Sequence, residues 1–228
     1  MTGHTRFFST LAIIAATAAP AAAADLKVTF AKSEAGGRLP AENASCMVTP
    51  QARDTPAKNL SPGLSWTKGP KGTRSYALTM VDQDVPADLS KFNRQGTSYP
   101  ADAPRVEFVH WLLADIPANV TRLAEGADGK GLPKGGLALE RTDHGRRGQN
   151  GFAAFMKDGP YGGYHGACPP WNDERPHRYR LTVYALDVDR LTLPDTFARA
   201  DLLAAMKGHI LAEGAAELTY STNAKAGK

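Results

Sequence analysis

The sequence predicts a mainly β domain with one helix near its C-terminus, on three observations. Short runs at 26–30, 75–81, 106–114, 179–186 and 216–220 are apolar or alternate in polarity, and Gly, Pro or Asp breaks bound them. Only residues 196–213 carry a helical period. Hydrophobic residues make up 42% of 228, enough for one domain of ordinary size with its own core.

The N-terminus reads as a leader. Arg6 precedes an apolar run at 7–19 that ends in Pro20-Ala21-Ala22-Ala23-Ala24. A basic start, a short apolar segment and small residues before a cleavage point make a secretory signal peptide, residues 1–24, followed by a single domain, residues 25–228. The run is too short for a membrane span, and no other stretch approaches spanning length, so the mature chain is expected to have no integral membrane segment. The expected location is periplasmic or secreted. An even cysteine count in an oxidising compartment suggests that Cys46 and Cys168 form a disulfide, which the chain-entropy model makes worth about 4–5 kcal/mol. Two buried free thiols are the alternative.

Net charge is +4 with basic residues scattered, Arg146-Arg147 being the densest spot. That pattern gives no basis for a nucleic-acid partner. No repeat or low-complexity segment is present.

The elements follow in order. Residues 26–30 (L-K-V-T-F) alternate as a strand does, and Gly36-Gly37 and Pro40 end them. Residues 41–60 are polar loop, leading to Leu64 and Trp66 on one face. Residues 75–81 form a strand that closes on Asp82-Gln83-Asp84-Val85-Pro86. Asp82 and Asp84, two apart, are expected to point one way, as an acid/base pair, a metal or amine site, or as caps of a solvated turn. Residues 88–105 are polar loop. Residues 106–114 (V-E-F-V-H-W-L-L-A) are the most strand-like segment, with His110 inside the apolar run, where a satisfied core histidine is the plainer reading. Residues 119–150 are Gly-rich and charged, an excursion over the body or over a site.

Residues 161–181 start as a Gly-rich loop, stiffen at Pro169-Pro170 and enter a strand that puts His177 and Tyr179 on one face. They read as a pocket rim or as an ordinary turn with a surface histidine. In 196–213, Phe197, Leu202, Leu203, Met206, Ile210 and Leu211 make an apolar stripe, with Asp195 as expected N-cap and Gly214 as expected residue just past the end.

Taken together and in order, S-P-G-L-S-W at 61–66, D-Q-D-V-P at 82–86, V-H-W-L-L-A-D-I-P at 109–117, Y-H-G-A-C-P-P at 164–170, H-R-Y at 177–179 and Y-A-L-D at 184–187 resemble the phosphatidylethanolamine-binding protein family, also called Raf kinase inhibitor-like, in its bacterial branch. The resemblance spans about residues 26–221. It implies a sandwich of two antiparallel sheets and a small anion-binding pocket at one end. Carried over by motif, the pocket is Asp82, Asp84, Pro86, His110, Gly166, Pro169, Pro170, His177 and Tyr179, with Tyr164 at the mouth. Two carboxylates beside two imidazoles are expected to raise both histidine pKa values. Residues 47–60 and 88–105 look longer than the compact bacterial pattern and are placed to reshape the mouth.

The function so implied is non-catalytic binding of a small phosphate- or carboxylate-bearing ligand, such as a phospholipid head group, with no cofactor and no metal. The alternatives are an inhibitor that docks on a protease or other protein target through surface loops, and a hydrolase or isomerase using the same pocket. Against the last, no Ser or Cys stands in a nucleophile motif.

Overall fold

The computed structural model describes residue 1 and residues 24–226, so the expected leader lies almost wholly outside the described residues. The strands in chain order are β1 Ala24–Asp25, β2 Val28–Phe30, β3 Cys46–Met47, β4 Thr55–Pro56, β5 Leu64–Trp66, β6 Ser75–Pro86, β7 Arg105–Pro117, β8 Arg122–Leu123, β9 Arg141–Thr142, β10 Gly145–Arg147, β11 His177–Leu186 and β12 Ile210–Tyr220. The helix α1 spans Arg199–Met206. A seven-stranded sheet runs β1-β12-β11-β6-β7-β10-β9, antiparallel except for β1 beside β12. A three-stranded sheet runs β2-β5-β8, and β3 and β4 form a separate pair. This is the mainly β, antiparallel architecture expected, with the helix near the C-terminus.

The large sheet is covered on both faces, which is why β6 reads as nearly continuous apolar sequence rather than alternation. Tyr76, Leu78 and Met80 join Leu26, Val28, Leu64, Trp66 and Leu123 in a core under the small sheet. Ala77, Leu112, Ala114, Tyr184 and Leu186 join Phe197, Leu202 and Met206 under α1. Residues 119–150 pack over the body. They supply β8 to the small sheet and β9 and β10 to the edge of the large one.

The expected helix at 196–213 is corrected to Arg199–Met206, and the expected last strand at 216–220 to Ile210–Tyr220. Gly208, at φ +85°, ends the helix six residues before the predicted stop. Gly214 lies mid-strand, where a Cβ would come within 1.9 Å of the Leu26 carbonyl oxygen. It is glycine because another backbone crosses it, not because a helix ends there. The N-cap is Ala198 rather than Asp195, and its N–H donates to Asp201 at 2.9 Å. Ile210 and Leu211 belong to β12, so the apparent stripe joined residues of two different elements, and Leu203 and Ile210 are exposed.

Cys46 and Cys168 are disulfide-bonded, 122 residues apart in sequence. Among the described residues no helix is long and apolar enough to cross a membrane.

Candidate functional site

Two bulges shape one end of the large sheet. Met80 pairs with Trp111 but Val81 with Val109, so His110 is an extra residue on β7. Asp82 pairs with Phe108 but Val85 with Val106, so β6 carries an extra residue just after Asp82. A bulge re-aims side chains that strict alternation would send elsewhere. Here His110 and Trp111 leave β7 on the same side. His110 lies edge-to-face with Tyr179 of β11 at 5.2 Å, while Trp111 enters the core below.

The result is a cavity of about 370 Å³ over the ends of β6, β7 and β11. Four polar residues, all buried, underlie its floor: Asp82, His110, His177 and Tyr179. Its walls are apolar. Phe108 comes from β7 and Phe152 from the 3-10 turn Gly151–Ala154, with Pro169 and Pro170 opposite. Leu89, Phe92, Phe155 and Met156 form an exposed rim, Phe155 being 61% exposed.

The floor is a chain of charges. His177 Nδ1 lies 2.7 Å from Asp82 Oδ2, and its Nε2 lies 3.1 Å from Asp173 Oδ2. Asp173 also accepts from Arg105 Nη2 at 3.0 Å. Burial opposes a charge on His177, but the bonds to Asp173 and Asp82 outweigh it and lift its pKa to about 9. His110 behaves oppositely. Burial pushes its pKa below the ordinary value despite the charge on Asp82, whose nearest oxygen is 4.0 Å from Nε2. Its Nδ1 lies 2.6 Å from the His165 carbonyl oxygen. The His165 ring stacks on Phe152 at 3.7 Å, and burial holds it neutral, with a pKa of about 4. The expectation that both pocket histidines are raised therefore holds for His177 and is corrected for His110, where desolvation exceeds the pull of one carboxylate.

Among the described residues the buried Tyr179 hydroxyl has no hydrogen-bond partner. Burial, then the charge on Asp82 and a contact with its carboxylate that falls outside hydrogen-bond geometry, push its pKa well above the usual phenol value.

The structure brings together Asp82, His110, Pro169, Pro170, His177 and Tyr179. Asp84 faces away, against the expectation that it shares a side with Asp82, because the bulge between them shifts the alternation. Its carboxylate accepts from Arg178 Nε at 2.8 Å and from Arg175 Nη1 at 3.0 Å. Burial would raise its pKa, but those bonds hold it at about 2. Tyr164 is buried in the core and donates to the Asn43 carbonyl at 2.6 Å. Gly166 donates to Asn59 Oδ1 at 2.6 Å, and a Cβ there would lie 2.5 Å from the Asn43 carbonyl oxygen. Pro86, also buried, ends β6 beside Arg105. None of these four lines the cavity.

Sequence reasoning named the wall of Pro169 and Pro170 but missed the aromatic wall of Phe108 and Phe152 and missed Asp173. Asp173 stands four residues before His177, a visible spacing. Phe152 and Phe155 lie in a segment without periodicity, and nothing local points to them. The loop 88–105 does reach the mouth, through Leu89 and Phe92, whereas residues 47–60 do not line the cavity. The disulfide backs the wall, since Cys168 lines it beside Pro169, whose carbonyl accepts from Thr222 Oγ1 at 2.7 Å.

A family model described as phosphatidylethanolamine-binding protein matches residues 30–221. The Escherichia coli protein described as UPF0098 protein YbcL is 33% identical over 136 residues, 58% of this chain, and the match spans just 56% of that relative's length. A UPF0098 protein from Aquifex aeolicus is 32% identical over 164 residues, 72% of this chain and 75% of that one. The crystal structure of E. coli YbcL, described as a new member of the mammalian PEBP family, superposes with a TM-score of 0.60 at 26% identity, over 87% of this chain and 99% of that one.

Proposed function

Because the chain belongs to the phosphatidylethanolamine-binding protein family, we propose that it is a non-catalytic binding protein for a small ligand bearing a phosphate or carboxylate group. The acidic group sits on the floor of Asp82, His110, His177 and Tyr179, and the remainder of the ligand lies along Phe108, Phe152 and the two prolines. The observation that carries this reading is the buried Tyr179 hydroxyl, which has no partner among the described residues and sits on the floor of a cavity. A buried polar group without a partner is costly, and a ligand oxygen relieves it. The protein acts outside the cytoplasm, directed there by residues 1–24. The Cys46–Cys168 bond supports an oxidising compartment.

The exposed rim of Leu89, Phe92, Phe155 and Met156 favours a second reading, in which a protein target docks over the mouth and presents the acidic group from one of its own residues.

Calorimetric titration at pH 6 with inorganic phosphate, O-phosphoethanolamine and acetate tests the first reading. Saturable binding of at least one, weakened about tenfold or more in His110→Ala, is expected. No binding of any at millimolar concentration, or binding indifferent to that substitution, overturns it.

A further inference from the structure

The proposal above leaves open which acidic group the floor takes, and the arrangement of hydrogens there narrows the choice. The selectivity inferred here rests on that proposal. His177 has no donor to spare, because its two ring nitrogens face Asp82 and Asp173 at 2.7 and 3.1 Å. Each Asp82 oxygen accepts one bond, Oδ1 from the Asp84 N–H at 2.8 Å and Oδ2 from His177, and keeps a further lone pair. The formal charges of Asp82, His177, Asp173 and Arg105 sum to zero, so this chain presents no net cation to an anion.

His110 completes the floor. A carbonyl oxygen only accepts, so the contact of Nδ1 with the His165 carbonyl at 2.6 Å places the proton of the neutral ring on Nδ1. Nε2 is then a bare lone pair. The titratable groups facing this ring are Asp82 from β6, His177 and Tyr179 from β11, and His165 from the loop that packs on it. None of them donates to Nε2. Burial favours the neutral ring, in accord with this geometry.

Among the neutral side chains of the floor, therefore, the Tyr179 O–H is the donor left over and His110 Nε2 the acceptor left over, while the spare Asp82 lone pairs also favour a ligand that brings a hydrogen. An anion that only accepts matches half of that pair and sets its oxygen against the Nε2 lone pair. An acid group that keeps one hydrogen matches both. We propose that the pocket selects hydrogen-bearing acids, a phosphomonoester in its singly charged form over a phosphodiester of the same charge, with His110 as the residue that sets the preference. The ligand O–H donates to His110 Nε2, and a second ligand oxygen accepts from Tyr179. No bond is made or broken.

Methyl phosphate and dimethyl phosphate separate the two cases. At pH 5.5 both carry about one negative charge, since a phosphomonoester loses its second proton near pH 6. Only methyl phosphate keeps an O–H. Calorimetry with the native protein is expected to give methyl phosphate an affinity at least about tenfold higher. In His110→Gln, whose amide can donate or accept, the ratio is expected to fall to within about threefold while Tyr179 still holds both ligands. Equal affinities for the native protein, or a preference that survives His110→Gln, overturn the selectivity and leave the anion pocket standing. Binding of neither compound at millimolar concentration overturns both.

Discussion

Two buried polar clusters hang from adjacent residues of β7, and they differ in completeness. Trp111 donates to Asp128 at 2.5 Å, and the same carboxylate accepts from Arg147 Nε at 2.6 Å and His144 Nε2 at 3.1 Å. The Asp128 N–H donates to Ser61 Oγ at 3.0 Å. The second cluster, on the His110 side, also combines aspartate, histidine and arginine, but the Tyr179 hydroxyl and His110 Nε2 stay unmatched. The first cluster pins residues 119–150 to the core through the fully buried Asp128. The second lines the cavity. A buried carboxylate with both oxygens bonded is a fastening, whereas a network with complementary vacant positions facing a cavity is shaped for something else to complete it.

The largest effect should come from breaking the complete cluster. Asp128→Ala strips the buried Arg147 and the Trp111 N–H of their partner and is expected to lose about 3–5 kcal/mol in guanidinium unfolding. Any folded protein that remains should bind phosphate with unchanged affinity. A loss below about 1 kcal/mol would remove the contrast between the clusters.

Stability against pH gives the next largest effect, confined to the incomplete cluster. The pKa of His177 is raised from 6.5 to about 9 in the folded protein. The folded state then holds a proton that the unfolded chain has released, so this contribution is full below pH 6.5 and is lost as pH rises through 9. Its size is on the order of 3 kcal/mol. His110 and His165 are shifted down, so what they contribute is present above pH 6.5 and lost as pH falls. Guanidinium unfolding at steps between pH 6 and 9.5 should show the alkaline decline, and His177→Gln should flatten it. A decline that persists in that variant would assign it to other groups.

The contrast also explains what could be read from sequence. Apolar or alternating runs bounded by breakers placed the five main strands, because burying both faces or one face of a strand requires them, and His177 and Tyr179 share a face by strand alternation. Asp84 was misplaced because a bulge is a property of strand pairing, which no local pattern in D-Q-D-V-P reveals. The helix was overextended because Leu202, Met206 and Ile210 keep helical spacing while Gly208 breaks the chain between them. Gly214, taken for a helix stop, is small to admit the Leu26 backbone, a contact between residues 188 positions apart. Sequence spacing could suggest which ionisable groups meet. It could not show which hydrogens each group keeps for a ligand, because that depends on Asp173, on the His165 carbonyl and on burial.

The smallest change in stability is the most discriminating. Tyr179→Phe removes one oxygen and keeps the ring that packs edge-to-face on His110. If the hydroxyl belonged to a finished network like that of Asp128, its loss would destabilise the protein by about 1 kcal/mol. Buried without a partner, it contributes nothing of that kind, and removing it should leave stability unchanged or raise it by up to about 1 kcal/mol. Because its pKa stands well above the usual phenol value, the hydroxyl stays a proton donor throughout this pH range. Phosphate affinity should therefore fall about five- to tenfold in the variant at both pH 6 and pH 8. Thermal unfolding and calorimetric titration of the same preparation would read both quantities. Stability that holds or rises while affinity falls is the outcome the incomplete cluster requires, and a parallel fall in both would mean that Tyr179 is a fastening after all.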